Sequence, residues 1–208
     1  MQTFSKLLYV CFTIAPIIFA YFVKIKKKES IKLYGQEKYY YKNIFLFYTQ
    51  SCRDHLIKLK PCDNNCPQNH LILLTNFIAT AKQSISICVL TLQLFNIFEE
   101  LIKAHHKGVE VKIIMDREMI GVNSPKLQKL GRIGIPVKTQ GENSCIHHKF
   151  CIVDEDDKAS AKMFFGSMNF TLNGMLSNYE HITLTNDYRI TEKFTKEFNA
   201  LWKEFELI

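Results

Sequence analysis

Residues 147–154, HHKFCIVD, place two histidines, a lysine and an aspartate around an apolar run that is typical of a β-strand. In an extended strand, residues i and i+2 share a face, so His147 and Lys149 point together, whereas His148 and Phe150 point the other way. Imidazole acts as a nucleophile or a proton carrier at neutral pH, and a neighbouring lysine supplies positive charge to a phosphate oxygen. The stretch therefore favours chemistry at phosphorus, with His147 as the working imidazole.

A second polar group, GSMN at residues 166–169, follows on the next predicted strand. Ser167 and Asn169 share a face there and offer a hydroxyl and an amide, both of which donate hydrogen bonds to phosphate oxygens. Glu180 begins a further predicted strand and could hold one ring nitrogen of His147, which would fix its tautomer.

The elements that must position these residues alternate along the chain. Apolar residues recur at helical spacing in some segments and at strand spacing in others. The order of elements predicts an α/β fold with a mixed sheet flanked by helices. Strands are predicted at 84–92, 109–116, 135–140, 148–154, 162–169 and 180–187, and helices at 70–83, 93–108, 124–134 and 191–208.

Local signals predict where two helices begin and end. Gly108 ends the helix that carries His105 and His106, so these histidines complement the helix dipole and are interpreted as structural. Ser124 is the predicted N-cap of the next helix, with Pro125 at its first position.

Asp116 and Arg117 end a predicted strand and are a weaker site hypothesis, since the end of a strand can line a site.

The N-terminal region predicts a membrane anchor over residues 1–28. Residues 7–23 carry no charge, and lysines flank them on both sides. With neighbouring apolar residues the run approaches the roughly 20 that a membrane-spanning helix needs. A cleaved signal peptide is the alternative, but the strongly basic sequence after the apolar run argues against it. The lysine excess after the run predicts that the rest of the chain stays on the cytosolic side.

The net charge of +7 is concentrated before the predicted domain. Residues 1–43 carry eight lysines and two glutamates, whereas the remainder carries 19 basic and 18 acidic residues. Residues 29–43 therefore predict a basic juxtamembrane linker, and residues 44–208 a nearly neutral catalytic domain. The overall basicity is thus no evidence for a nucleic-acid partner.

A Cys/His cluster in the segment 52–70 suggests a structural zinc site. Cys52, Cys62, Cys66 and His70 make a complete tetrahedral ligand set within a polar, turn-rich loop, with His55 as a possible substitute ligand. The alternative is a loop of free cysteines. In a cytosolic domain the seven cysteines are reduced and do not form a disulfide framework.

Taken together, the motif resembles the phospholipase D superfamily, whose pattern is H-x-K-x4-D-x6-G-S-x-N. The matching residues are His147, Lys149, Asp154, Gly166, Ser167 and Asn169. Eleven residues rather than six separate Asp154 from Gly166, and this polar insertion is expected to lengthen a hairpin tip without disturbing the site. Asp154 is counted with the catalytic motif and assigned to support of its strand.

The anchor, the Cys/His cluster and the single motif narrow the resemblance to the mitochondrial cardiolipin hydrolase family, which includes the Zucchini endonuclease. This resemblance implies a single-pass protein of the mitochondrial outer membrane with its catalytic domain in the cytosol. It also implies zinc at the cluster, a phospholipase D-like fold, and partners from the PIWI-interacting RNA pathway.

Cleavage through a covalent phosphohistidine needs two imidazoles, one as nucleophile and one as acid and then base. The superfamily uses two H-x-K motifs for this, and the sequence has one with a following G-S-x-N. We therefore expect a homodimer in which two copies of His147 meet across a two-fold axis, without a catalytic metal. A monomer that uses His181, His148 or a helix histidine is the alternative.

Three functions remain open at this stage. The first is a single-strand-specific RNA endonuclease that makes PIWI-interacting RNA ends. The second is a lipid phosphodiesterase that hydrolyses cardiolipin to phosphatidic acid. The third is a catalytically inactive scaffold at the membrane, against which the complete set of motif residues argues.

Overall fold

The computed structural model describes residues 41–46 and 66–208. In these ranges the strands are β1 (Tyr41–Leu46), β2 (Ser84–Val89), β3 (Glu110–Met115), β4 (Val137–Thr139), β5 (Lys149–Val153), β6 (Lys162–Gly166), β7 (Glu180–Thr185) and β8 (Glu206–Leu207). The α-helices are α1 (Pro67–Ala79), α2 (Phe95–His106), α3 (Ile120–Ile133), α4 (Leu172–Leu176) and α5 (Tyr188–Glu204), with a 3₁₀ turn at Arg117–Met119.

The described strands form one mixed sheet in the order β1-β7-β6-β5-β2-β3-β4-β8. Strands β2, β3 and β4 are parallel, whereas the other neighbouring strands are antiparallel. The predicted mixed α/β sheet is confirmed.

Helices cover both faces of this sheet, which explains why every residue of β2 is buried. Ile85, Ile87 and Val89 of β2 belong to the core that includes residues of α1 and α2, and Cys88 belongs to the core around Phe198 of α5. Successive residues thus point to opposite faces, as strand geometry requires.

Helix α3 begins earlier than the sequence predicts, so the expected N-cap at Ser124 is wrong. The preceding 3₁₀ turn is capped by Asp116, whose side chain accepts a hydrogen bond of 2.9 Å from the backbone N–H of Glu118. That turn leads directly into Ile120, and Pro125 lies inside the helix rather than at its first position. A proline removes one backbone donor there, and the rest of the helix continues past it.

The final helix, α5, begins three residues earlier and ends four residues earlier than the predicted 191–208. Asp187 caps α5 through a 3.0 Å hydrogen bond to the N–H of Arg189, so the helix begins at Tyr188. At the other end, Phe205 adopts an extended backbone conformation and β8 pairs with β4. The side of β4 that does not face β3 thus provides hydrogen bonds to the backbone after Phe205, in place of a further turn of helix.

Strand β1 spans residue 44, the predicted start of the catalytic domain, and pairs with β7 along its whole length. The predicted anchor and most of the predicted linker lie outside the described residues. Within the described ranges, no helix combines the length and the apolar character needed to cross a membrane.

Candidate active site

The motif residues lie together at one end of the strands, where β5 and β7 begin and β6 ends. This end of the sheet forms the active edge. Phe150 is opposite Phe165, so Lys149 and Gly166 end the β5–β6 pair on the same side. Gly166 is in turn opposite Ile182, next to the start of β7 at Glu180. Three strands therefore bring their polar ends together.

His147 precedes β5 in an extended segment and is exposed. Its ring makes no hydrogen bond to any of the described residues. His148 points the other way, since its Nε2 lies 3.3 Å from Glu197 Oε1 and its ring packs edge-on against Phe150 at 5.4 Å between centroids. His148 therefore shares a side with Phe150, as expected from strand alternation, and the role of His147 as the working imidazole stays a prediction.

Lys149 is only 7% exposed. Its Nζ donates a hydrogen bond of 2.7 Å to the carbonyl oxygen of His147, which holds the ammonium group beside that residue. Burial lowers the pKa of Lys149, and the charge of Glu180 opposes this shift. The remaining donors of the ammonium group are available for an anion.

Ser167 is fixed between β6 and β7. Its N–H donates to the carbonyl oxygen of His181 and its Oγ accepts from the N–H of His181, each at 3.1 Å. A side chain on Gly166 would clash with the same carbonyl oxygen of His181, so a glycine is required before this serine. The exposed hydroxyl of Ser167 is thereby held at the edge.

Glu180 contacts this serine rather than the histidine for which the sequence suggested it. Its carboxylate accepts a hydrogen bond from Ser167 Oγ and another of 3.0 Å from Asn178 Nδ2. No hydrogen bond joins Glu180 to the ring of His147 among the described residues. The β6–β7 pairing explains this arrangement because it places the serine hydroxyl next to the carboxylate.

Asn169 is partly buried at the end of the GSMN segment. Its Oδ1 is buried and has no hydrogen-bond partner among the described residues. Its carbonyl oxygen accepts a 2.8 Å hydrogen bond from the N–H of Thr171, which starts the turn into α4. The amide is therefore placed at the edge with unused hydrogen-bonding capacity.

Asp154 lies at the opposite end of β5, away from the other motif residues. It is 2% exposed, with a φ of 55°, and its carboxylate accepts hydrogen bonds of 2.7–3.2 Å from the N–H groups of Lys82, Gln83 and Ser84. These contacts tie the start of β2 to the end of β5. The structure gives Asp154 a scaffolding position and does not bring it to His147.

The polar insertion after Asp154 forms the turn at this same remote end. Asp157 accepts hydrogen bonds of 2.7 Å from Ser160 Oγ and 3.0 Å from the N–H of Ala159. These bonds lower the pKa of Asp157. The insertion therefore extends the β5–β6 hairpin without reaching the active edge, as predicted.

Asp116 and Gln140 hold the loop that leads to His147, and both are 1% exposed. Asp116 Oδ2 accepts hydrogen bonds of 2.6 Å from Gln140 Nε2 and 2.8 Å from the N–H of Ile146. Gln140 also donates to the carbonyl oxygen of Ser144 at 3.0 Å. Asp116 thus contributes to the site through the loop, and Gln140 is a member that no sequence motif indicated.

Two of the four predicted zinc ligands fall within the described residues. Cys66 caps α1 and is fully buried, and His70 lies one helical turn later at 6% exposure. This spacing suits two ligands of one tetrahedral site. Cys52 and Cys62 lie outside the described residues, as does His55. Within the described ranges, no three metal-binding side chains cluster together.

His105, a helix histidine that a monomeric active site could have used, has a structural role in this fold. His105 Nε2 lies 2.8 Å from the carbonyl oxygen of Ile133, so α2 is joined to the end of α3. His105 therefore serves helix packing, as the sequence predicted.

Comparison with known proteins agrees with this geometry. A family model described as "Cardiolipin synthase, PLD-like domain" matches residues 74–202. The mitochondrial cardiolipin hydrolase of Chlamydomonas reinhardtii is 28% identical over 160 residues, which is 70% of this chain and 70% of that protein. The protein of the same name from Xenopus tropicalis is 28% identical over 158 residues, covering 73% and 70% of the two chains.

Among solved structures, the phospholipase D family member Nuc from Salmonella typhimurium superposes with a TM-score of 0.65 at 20% identity, covering 82% of this chain and 99% of Nuc. At that identity the likeness concerns the fold, which is the same open mixed sheet. Because the family match covers more than half of the chain, this protein belongs to the phospholipase D-like family and is a hydrolase of phosphodiester bonds.

Proposed function

We propose that this phosphodiesterase is a single-strand-specific RNA endonuclease that makes PIWI-interacting RNA ends at the mitochondrial surface. The observation that carries the chemistry is the exposed His147 side chain, with the buried Lys149 ammonium group held at the backbone carbonyl oxygen of the same residue. Asn169 supplies a neutral hydrogen-bond donor at the same edge, and Ser167 becomes a second one when its hydroxyl turns from Glu180 to the phosphate. An open edge of this kind suits an extended strand with accessible phosphates.

In the first half of the reaction, a ring nitrogen of His147 attacks phosphorus, and the bond from phosphorus to the leaving oxygen breaks. His147 of the partner subunit donates a proton to that oxygen, which prevents the build-up of negative charge. Lys149, with Ser167 and Asn169, stabilises the charge on the remaining phosphate oxygens.

In the second half, the now neutral imidazole of the partner subunit removes a proton from water. The water oxygen attacks the phosphohistidine, the nitrogen–phosphorus bond breaks, and His147 is regenerated. Both halves use only side chains, so we propose that catalysis proceeds without a divalent metal. The homodimer follows from the need for two imidazoles at one phosphorus atom.

We also propose a membrane anchor, a mitochondrial location and a structural zinc site for the N-terminal third of the chain. Residues 1–28 anchor the chain once in the mitochondrial outer membrane, with the catalytic domain in the cytosol, and residues 29–43 link the two. The location is supported by the names of the relatives. A structural zinc bound by Cys52, Cys62, Cys66 and His70 would stabilise the segment 52–70 and take no part in the reaction.

Hydrolysis of cardiolipin is the second candidate, because relatives that cover most of the chain are named mitochondrial cardiolipin hydrolase. The attack by His147 would then expel phosphatidylglycerol, and hydrolysis of the phosphohistidine would release phosphatidic acid. An inactive membrane scaffold is the remaining possibility, and the complete set of motif residues, with His147 exposed, argues against it.

The deciding experiment assays the full-length protein in detergent with EDTA on 5′-labelled single-stranded RNA and, separately, on cardiolipin vesicles. We expect RNA cleavage that His147→Ala abolishes and that His148→Ala retains, since His148 faces Glu197. Lipid turnover with intact RNA would identify the second candidate. Wild-type protein without either activity would identify the scaffold.

The homodimer has its own test. Mixing wild-type protein with an excess of His147→Ala should lower the activity per wild-type chain, because mixed dimers contain only one working imidazole. A constant activity per wild-type chain would exclude a shared site.

A further inference from the structure

A cavity lies beside the GSMN segment and takes no part in the chemistry described above. Its volume is about 730 Å³, and Gln93, Asn123 and Thr171 are among its lining residues. The N–H of Gln93 donates a 2.8 Å hydrogen bond to the carbonyl oxygen of Phe170, and Thr171 follows Asn169 by two positions. The cavity therefore opens next to the phosphate-binding residues.

This volume falls within the range of roughly 300–1,000 Å³ that is usual for sites of small ligands. Its lining combines apolar surface with several polar side chains. Gln93, Asn123 and Asn173 contribute amides, Thr171 a hydroxyl and Lys126 an ammonium group. A mixed lining of this kind suits a ligand that has both hydrogen-bonding groups and an apolar face.

Asn123 is the buried polar group in this cavity, at 2% exposure. Its Nδ2 is satisfied, because it donates hydrogen bonds of 3.0 Å to Thr91 Oγ1 and 2.7 Å to the carbonyl oxygen of Met119. Its Oδ1 is buried without a hydrogen-bond partner among the described residues. A buried acceptor left unpaired is costly, so this oxygen is suited to receive a donor from a ligand.

Lys126 lies on the same helix, one turn away from Asn123. Its Nζ donates to the carbonyl oxygen of Gln93, which holds the ammonium group at the cavity wall. An ammonium group has three donors, so two remain for an anionic ligand. Leu172 is 57% exposed and provides an apolar surface beside these polar groups.

We propose that this cavity binds the nucleotide next to the cleaved phosphodiester, with the base donating an N–H to Asn123 Oδ1 and the adjacent phosphate contacting Lys126. The inference rests on the proposed RNA endonuclease function. A nucleobase has both the N–H groups that the buried oxygen lacks and a flat face that fits against Leu172.

The test measures binding of fluorescein-labelled 12-residue oligouridylate to the full-length protein with His147→Asn, which blocks cleavage. An abasic sugar–phosphate strand of the same length is the reference ligand. We expect Asn123→Leu and Asn173→Ala to weaken oligouridylate binding, by about tenfold for Asn123→Leu, and to leave the abasic strand unaffected. Lys126→Met should weaken both ligands equally and reduce the salt dependence of binding by about one counterion.

Thermal melting identifies any variant that fails to fold, and the exposed Asn173 provides a variant for which folding is not at risk. Unchanged oligouridylate affinity in folded Asn173→Ala and Lys126→Met would overturn the inference. Reduced binding of cardiolipin nanodiscs in the same variants, with RNA binding intact, would also overturn it and assign the cavity to a lipid headgroup. Wild-type protein that cleaves no RNA would refute the proposed function itself, whereas normal cleavage with unaffected variants would refute only this inference.

Discussion

The two ends of β5 belong to one sequence motif and differ in almost every physical respect. At the start of the strand, the His147 ring is exposed and makes no hydrogen bond to the described residues. At the other end, the Asp154 carboxylate is buried and accepts hydrogen bonds from three backbone N–H groups. One end keeps its polar groups available to a ligand, and the other uses them to join strands.

This difference shows that spacing in a motif need not mean a shared chemical role. Four residues of β5 separate Lys149 from Asp154, so the two residues lie at opposite ends of the strand. The lysine faces the site where charge is needed, whereas the aspartate stabilises the turn that sets the strand in place. The following predictions test this division of roles.

The largest effect is expected from His147→Ala. Loss of the nucleophile should reduce the rate of phosphodiester cleavage by at least about 10³-fold. The melting temperature should change little, because the ring is exposed. Single-turnover kinetics and thermal melting measure the two quantities. A similar rate loss in His148→Ala would contradict the assignment of roles.

Asp154→Ala should act on stability instead. It leaves three backbone donors without their acceptor, which we expect to lower the free energy of unfolding by about 3 kcal/mol. Urea denaturation measures this loss, and the exposed neighbour Asp156 provides the control as Asp156→Ala. A variant of unchanged stability with greatly reduced turnover per folded molecule would place Asp154 in the chemistry.

Asp116→Ala tests the loop that connects the scaffold to His147. Loss of the acceptor for the Ile146 N–H should lower stability by about 2 kcal/mol and displace the loop. We expect kcat to fall by about tenfold with little change in KM, since the misplaced imidazole affects the reaction more than binding. Exposed Glu118 gives the matched variant Glu118→Ala, and equal effects in both variants would exclude a positioning role.

The smallest expected effect is on the pH dependence of stability, through Glu155, which follows Asp154 in the chain. Burial raises the pKa of Glu155, with contributions from Asp156 and Glu110, whereas Ser86 and Lys112 oppose the shift. The folded state therefore holds this proton more tightly than the unfolded state, and stability falls as pH rises from the unfolded pKa through the folded one. Glu155→Gln should remove that part of the pH dependence and stabilise the protein above this window by about 1 kcal/mol.

Urea denaturation between pH 4 and pH 8 measures the difference between Glu155→Gln and wild type. A difference that stays constant over this range would show that Glu155 has the same pKa in both states.

Much of the site could be predicted because strand geometry determines which side chains share a face. The contact between His148 and Phe150 follows from alternation, and the structural role of His105 follows from its place at a helix end. The contact between Glu180 and Ser167 could not be predicted, because it depends on how β6 and β7 pair. Gln140 had no sequence signal for the same reason, since its partner Asp116 is distant in sequence.

Helix boundaries were predicted less well where caps compete. Ser124 and Pro125 form a good local start signal, yet Asp116 caps an earlier turn and the helix begins at Ile120. Similarly, the sequence places Asp187 at the end of a predicted strand, whereas in the structure its side chain caps α5. Local propensity is one contribution among several, and tertiary pairing decides between alternatives of similar strength.

The short strand β8 has a consequence for solubility. Its pairing with β4, extended by a 3.0 Å hydrogen bond from the N–H of Ile208 to the carbonyl oxygen of Val137, covers backbone groups that would otherwise form an open sheet edge. Open edges recruit strands from other molecules and promote aggregation. A purification tag or fusion attached after Ile208 therefore needs a flexible spacer, so that it leaves this protective strand in place.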